Sequence, residues 1–259
     1  LAIQANAPLK AATWIEQAFS MVVVGLGKHV TYANWFLSLS DEAIEASPRV
    51  RIGYIWSLTA RRHYLAVAEQ IQWLQQHKNR YDDAIQQEIE RTTSLIYCAM
   101  KGLQDDATSC DPLITDWIKK WNDSSRFVQQ NDYHYEMGLA YLLKGFCSKC
   151  LSHFNDARFA LNEAHAHFDA YGTYYGKTWA QSLLAVTYAK QGFHHEAQMV
   201  AQEGYQNAKE HLGESSHSGY GLAALLAAIH YEHDELELAQ AYLTDCMESL
   251  KEQSATDLL

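Results

Sequence analysis

Several kinds of residue are scarce in this 259-residue chain, and each scarcity excludes a class of protein. Only three prolines occur, and β-branched runs are few outside residues 21–24. Segments rich in Ala, Leu, Gln and Glu dominate instead, which favours helix over strand. No apolar run approaches the roughly 18 residues that span a bilayer. We therefore expect a helical protein with no membrane segment.

Basic residues are also scarce, and the formal net charge is −11. Because nucleic-acid binding draws much of its affinity from neutralised phosphates, we expect no direct contact with nucleic acid. The five cysteines are odd in number and lack the spacing of a small disulfide scaffold, which indicates a reducing, cytoplasmic location. The first residue is Leu1 rather than Met, so we expect a piece of a longer protein.

What the chain does contain is an alanine that returns in a similar local context about every forty residues. The best copies fit Gly-x-x-x-x-Ala, as in GLQDDA and GFHHEA. The repeated alanines, 39, 50, 40 and 42 residues apart, are Ala68, Ala107, Ala157, Ala197 and Ala239. A fixed period of this size is the signature of a solenoid, in which each unit buries its apolar face by stacking on its neighbours. The repeat thus predicts an all-α array of helical hairpins.

The repeat also predicts where the two helices of each hairpin approach closely. In a tetratricopeptide-like hairpin the repeated alanine faces the residue twelve positions earlier. The residues at that earlier position are Trp56, Leu95, Gly145, Ala185 and Ala227. The last three are small and fit, whereas the first two are large. The first two hairpins must therefore either splay apart or be aligned in the wrong register.

The pattern along the chain predicts one tetratricopeptide-like superhelical domain over residues 1–259. Residues 1–47 fit the repeat poorly and are expected to form an N-terminal helical cap, which includes a short capped helix from Asp41 to Ala46. Residues 48–121 hold the first repeats, with a helix opening at Pro112. Residues 122–132 form a polar linker or insertion, and residues 133–259 hold the last three hairpins.

Residues 27–68 resemble a known family. An aromatic-rich helix in ANWFLSLSDEAIEASPRV is followed by IGYIWSLTARRHYLAVAEQIQWL, with Trp35, Leu39, Pro48 and Ala68 at matching positions. This pattern is similar to the tetratricopeptide-like region of MalT-like, LuxR-family ATP-dependent transcription regulators. Ser40 stands where that family usually has proline. A repeat close to forty residues, longer than the ordinary 34, also resembles the family.

The resemblance implies a right-handed solenoid that senses an effector. In the family this region lies between a nucleotide-binding switch module and a DNA-binding helix-turn-helix, so those modules of the full-length chain would be its partners. The effector would be a small-molecule inducer or a regulatory protein, and self-association is a further alternative. We expect no enzyme activity and no cofactor. A second hypothesis is a free-standing adaptor that holds a peptide segment of another protein.

The candidate binding groove lies on the first helix of each hairpin, which lines the inner side of such superhelices. The predicted groove residues are Leu139, Leu142, Phe146, Trp179, Ser182, Val186 and Tyr231. Exposed apolar area of this extent marks a binding surface. The alternative is that these residues pack between neighbouring repeats, as periodic aromatic residues more often do. Tyr174, Tyr175 and Tyr220 are expected at the rim.

Other groups with chemical potential are better explained as structural. Cys147 and Cys150 have half the spacing of a zinc site without a second pair, so we expect buried free thiols. Cys98 and Cys246 fall at inward-facing positions. His230 and His233 share a helix face but lack a third specified ligand. We therefore predict no metal site and no catalytic residues.

Overall fold

The computed structural model describes residues 7–122, 130–213 and 216–252. Over these residues the protein is all-α, with thirteen α-helices that pack as sequential antiparallel pairs. The predicted all-α class is confirmed. The chain divides into two compact units, Leu1–Trp121 and Asn122–Leu259. The division falls at the start of the segment 122–132 in which we predicted a linker or insertion, but residues 123–129 of that segment lie outside the described residues.

The first unit opens with three helices that precede the hairpins. These are α1 (Pro8–Phe19), which continues into a π-helical turn (Ser20–Gly25), α2 (His29–Leu37) and α3 (Asp41–Ala46). The predicted short helix is confirmed at α3, where the Ser40 hydroxyl accepts a hydrogen bond from the Ala43 amide at 3.4 Å. Such an N-cap satisfies one of the free amides at a helix start.

Two hairpins complete the first unit: α4 (Pro48–Ala60) with α5 (Tyr64–His77), and α6 (Asp83–Leu103) with α7 (Ala107–Trp121). Helix α4 is the centre of this unit, because it packs against α1, α2, α3, α5 and α6. Its Gly53 lies under the fully buried ring of Tyr32, where an added Cβ would come within 2.5 Å of the phenol oxygen. A larger residue at Gly53 would displace α2.

Three hairpins form the second unit. They pair α8 (Gln130–Cys150) with α9 (Phe154–Tyr171), α10 (Tyr174–Lys190) with α11 (His194–Leu212), and α12 (His217–Glu232) with α13 (Leu236–Glu252). The first two return helices also pack against the first helix of the next hairpin, α9 on α10 and α11 on α12. Phe168 of α9 fills the space between Gly138 and Gly176, on helices α8 and α10.

The same turn joins the two helices of all five hairpins. One residue in each turn has a positive φ between 59° and 80°, and these residues are Arg62, Asp105, Ser152, Gly192 and Asp234. The amide of this residue donates to the carbonyl three positions back, and the next amide donates to the carbonyl five positions back, as with Gly192 to Ala189 and Phe193 to Tyr188, both at 3.0 Å. This is the Schellman pattern, which satisfies the last carbonyls of the first helix.

The turn gives the correct register of the repeat. The fifth residue after the positive-φ residue is buried in every hairpin, and these residues are Val67, Cys110, Ala157, Ala197 and Ala239. The seventh residue before it is buried as well, and these are Ile55, Cys98, Gly145, Ala185 and Ala227. Direct contacts occur in the second hairpin, where the Cys110 thiol donates to the Cys98 carbonyl, and in the third, where a Cβ at Gly145 would lie 3.4 Å from the Ala157 carbonyl oxygen.

The predicted alignment is therefore right in the last three hairpins and wrong in the first two. Ala68 is exposed and lies one residue beyond the buried Val67. Ala107 begins α7 and lies three residues before the equivalent Cys110. Trp56 and Leu95 are likewise displaced, by one and three residues, from the paired positions. Val67 and Cys110 occupy the position that alanine takes in the last three hairpins. An alignment based on a repeated alanine therefore misses this position in the first two.

The predicted start of α7, the return helix of the second hairpin, is also wrong. Helix α7 begins at Ala107, and Pro112 lies inside it. The carboxylate of Asp106 accepts a hydrogen bond from the Ser109 amide at 3.2 Å, which caps the helix before the proline is reached. A proline within the first two turns removes only one helical hydrogen bond, so the earlier cap decides the start.

Gly192→Ala tests whether the positive-φ residue strains the turn. A side chain at Gly192 would meet no atom within 4 Å, so only the backbone conformation is affected. We expect the free energy of unfolding to fall by about 1 kcal/mol, measured by urea denaturation with circular dichroism. Ser152→Ala is the matched control, since a non-glycine residue already has φ 62° there. Equal effects of the two substitutions would contradict the assignment.

Candidate functional site

The seven predicted groove residues all lie on the first helices of the second unit. Leu139, Leu142 and Phe146 are on α8, Trp179, Ser182 and Val186 are on α10, and Tyr231 is on α12. First helices are thus the correct elements for all of them. Their environments differ, from the buried Ser182 to the exposed Tyr231.

The α8 residues are half-buried and pack between helices. Leu139 and Leu142 lie against Ala164, Phe168 and Ala180, while Leu142 and Phe146 lie against Leu161, Leu183 and Leu184. These contacts join α8 to α9 and α10. The three α8 side chains therefore contribute to the core between neighbouring hairpins, as in the alternative interpretation, and offer only part of their surface to a ligand.

Ser182 and Val186 on α10 offer little to a ligand. Ser182 is 4% exposed, and its hydroxyl donates to the Thr178 carbonyl at 2.9 Å. A hydroxyl bonded within its own helix is already satisfied. Val186 is half-buried.

Trp179 belongs to an aromatic cluster that also contains Tyr175, Tyr135 and Tyr171. Trp179 and Tyr175 rings meet edge to face at 6.3 Å, and their side chains share a hydrogen bond. Tyr135 and Tyr171 rings are 5.4 Å apart. Burial raises the pKa of the Tyr135 phenol, with smaller contributions from Tyr171 and Tyr175. Four aromatic side chains from α8, α9 and α10 thus form one patch that is only partly open to solvent.

Tyr231 is the most accessible of the predicted residues, with 67% of its surface exposed. It lies in the last turn of α12. Of the predicted rim residues, Tyr174 is exposed and stacks on His211 with ring centroids 3.5 Å apart. Tyr220 is half-buried and packs on the cluster of Ala223, Ala224 and Cys246. An aromatic ring exposed to this extent is available for contact with a partner.

Sequence reasoning missed a pair of histidines on α8 and α9. The Nδ1 atoms of His134 and His167 are 3.0 Å apart, and the Tyr141 ring stacks on His167 at 5.7 Å. Burial lowers the pKa of His167, and the charge of His134 lowers it further. The two residues are 33 positions apart, so only the hairpin register could have indicated this pair.

The cysteine prediction holds with one exception. Cys98, Cys147 and Cys246 are buried cysteines that are not part of a disulfide bond, but Cys150 is exposed. Cys150 lies in the last turn of α8, one turn beyond Phe146. Burial raises the pKa of the Cys98 thiol to about 12, which keeps it protonated and unreactive.

The histidines of α12 are engaged in local contacts. His230 is buried, and its Nδ1 atom pairs with the Glu235 carboxylate across the hairpin turn, while its ring stacks on Tyr242 at 5.5 Å. His233 meets His194 edge to face at 6.3 Å. Over residues 7–122, 130–213 and 216–252, no group of three or more His, Cys, Asp or Glu side chains is placed to hold a metal ion.

A surface cavity of about 370 Å³ occurs in the first unit. It is lined by Lys78, Asp83, Gln86, Gln87 and Glu90. Its lining is entirely polar and includes both signs of charge, so it does not resemble the apolar groove that the sequence predicted. Glu90 is already paired with Lys120 at 2.7 Å.

No family model matches the chain, and no curated protein matches it significantly. None of the helices in the described part of the chain is long and apolar enough to cross a membrane.

The histidine pair predicts an acid-sensitive step in stability. An unfolded histidine takes up a proton near pH 6.5, whereas folded His167 resists protonation. The contribution of His167 to the free energy of unfolding is therefore fully present above about pH 6.5, and it is lost as the pH falls below that value. We expect His167→Gln to reduce the loss of unfolding free energy between pH 7 and pH 5, measured by urea denaturation. His195→Gln, at an exposed position, is the control. Identical pH dependence in the two variants would contradict the prediction.

Proposed function

We propose that the chain is a non-catalytic binding domain, the effector- or partner-sensing region of a MalT-like, LuxR-family transcription activator. In this proposal its hairpins form a right-handed tetratricopeptide-like solenoid. The resemblance of residues 27–68 to that family motivates the family assignment. The flanking nucleotide-switch and DNA-binding modules would belong to the rest of the full-length protein.

One observation supports a binding role most directly. Five hairpins share the same turn and the same pair of buried positions, five residues after and seven before the turn residue. Such repeats have a core built only from neighbouring hairpins, so their surface is free to vary for recognition. The second unit uses this surface to present aromatic side chains, including Trp179 and the exposed Tyr231.

The proposed mechanism is a shift between two arrangements of the hairpins. A ligand held against the first helices would favour one curvature of the array and so bias the attached switch module. The size of this bias cannot exceed the difference in the ligand's binding free energy for the two arrangements. A shift from 1% to 99% active requires a preference of about 10⁴-fold.

The adaptor hypothesis requires cationic side chains that are available to clamp a peptide carboxylate. The candidates on first helices are Arg49, Arg51, Lys144, Lys149 and Lys177. Arg49 pairs with Glu88 at 2.9 Å, and Lys177 pairs with Asp169 at 2.6 Å. Arg51 is buried over the Trp73 ring at 3.6 Å. Because these three cations are already paired or buried, the sensor hypothesis is favoured over an adaptor that clamps a carboxylate.

Tyr231→Ala tests the proposed binding surface. Ligands would first be found as small molecules or regulatory proteins that raise the melting temperature of the wild-type chain. At 100 times its Kd a ligand adds about 2.7 kcal/mol of stability, which corresponds to a shift of roughly 5–10 °C for a protein of this size. We expect Tyr231→Ala to weaken binding by tenfold or more while the melting transition without ligand is retained.

Phe159→Ala is the matched control for this experiment. Phe159 is 64% exposed but lies on α9, a return helix, so we expect its loss to leave the ligand-induced shift unchanged. The proposal fails if no ligand shifts the isolated domain while the full-length regulator still responds to its inducer. It also fails if both variants lose binding equally.

A further inference from the structure

Lys149 is a buried lysine in the last turn of α8. The residue is 8% exposed, and its Nζ atom lies 4.9 Å from the centroid of the Phe146 ring. Over residues 7–122, 130–213 and 216–252 no Asp or Glu carboxylate pairs with it, whereas Lys177 pairs with Asp169 at 2.6 Å. Lysine is almost never buried without a partner, so an unpaired amine at this place needs an explanation.

The surroundings of Lys149 favour the neutral amine over the ammonium ion. Burial lowers the pKa of Lys149 below its ordinary value. The negative charge of an ionised Cys150 opposes this effect, and the positive charge of Lys190 on α10 adds to it. A lysine that is desolvated, or that lies beside another cation, is the form in which proteins present a nucleophilic amine. Lys149 meets both conditions.

An accessible thiol lies next to this amine. Cys150 follows Lys149 directly in the chain, is exposed and is not part of a disulfide bond. Consecutive Cα atoms are about 3.8 Å apart, and the two side chains are close enough for each charge to act on the other. Cys147, three residues earlier, is fully buried. Cys150 is therefore the thiol of α8 that a dissolved reagent can reach.

The thiol and the amine have complementary reactivity. A cysteine is roughly a few per cent thiolate at pH 7 and is intrinsically very nucleophilic, so the exposed Cys150 reacts first with an electrophile from solution. An acyl group held on Cys150 is then presented to the Lys149 amine at a high effective concentration, as in other intramolecular reactions. The buried amine is reached less readily by a reagent that comes directly from solution.

We propose that Cys150 and Lys149 form an acylation site for thioesters of small carboxylic acids. In the first step the Cys150 thiolate attacks the thioester carbonyl, a new carbon–sulfur bond forms, and the original thiol leaves with the proton that Cys150 lost. In the second step the neutral Lys149 amine attacks the same carbonyl, an amide bond forms, and the carbon–sulfur bond to Cys150 breaks. The proton released by the nitrogen returns to the Cys150 sulfur. The net reaction converts a thioester and an amine into an amide and a thiol.

The product of this transfer suits the place that Lys149 occupies. Acylation removes the charge of the lysine, and burying a neutral polar group costs less free energy than burying an ion. Burial of Lys149 therefore favours transfer of the acyl group from the thiol to the amine. This inference is independent of the proposed sensor function, because it uses only the last turns of α8 and α10.

The test incubates the full chain with acetyl coenzyme A at mildly alkaline pH and follows each site by peptide mass spectrometry. We expect Lys149 to be acetylated at least tenfold faster than Lys177, whose ammonium is held by Asp169. Cys150→Ser, at an exposed position, should slow the acetylation of Lys149 at least tenfold and leave that of Lys177 unchanged. Lys149→Arg should leave the acetyl group on Cys150, from which hydroxylamine releases it. Circular dichroism checks that both variants are folded.

Three results would overturn the inference. The first is acetylation of Lys149 that is no faster than that of Lys177. The second is an unchanged rate at Lys149 in the Cys150→Ser variant, which would show that the amine reacts directly with the thioester. The third is a wild-type chain that keeps its acetyl group on Cys150, which would show that the amine does not receive it.

Discussion

The structure depends on one recurring contact, the close approach of two antiparallel helices on either side of a left-handed turn residue. The backbone hydrogen bonds of the turn hold the end of the first helix and the start of the second in a fixed register. As a result, the residue seven positions before the turn residue and the residue five positions after it are always buried together. Gly145 and Ala157 illustrate the close approach, since a Cβ at Gly145 would lie 3.4 Å from the Ala157 carbonyl oxygen.

The fold class and the last three hairpins could be predicted from the sequence because alanine or glycine occupies both buried positions there. The first two hairpins were misaligned for a physical reason. Burial at these positions excludes polar residues but tolerates Val67, Ile55 and Cys110, so residue size alone does not mark them. The turn residue gave no better signal, since only Gly192 of the five is glycine. Asp, Ser and Arg at the other turns adopt the same φ without leaving a recognisable motif.

The binding surface was harder to predict than the fold. The periodicity of a first helix shows which positions are apolar but not which are covered by the next hairpin. Ser182 and Leu142 are therefore engaged in packing, whereas Tyr231 is exposed. The Tyr135–Tyr171 and His134–His167 contacts join residues on different helices that are more than thirty positions apart. Finding them requires the correct pairing of α8 with α9 and α10.

The most direct test of the recurring contact compares Ala197→Leu with Ala68→Leu. Both alanines occupy the same place in the sequence repeat, but only Ala197 is buried at the fifth position after its turn residue. Overpacking there should lower the free energy of unfolding by about 2–3 kcal/mol, whereas leucine at the exposed Ala68 should change it by less than about 0.5 kcal/mol. These values come from urea denaturation of the full chain. Equal costs, or a larger cost at Ala68, would show that the hairpins are not built on this contact.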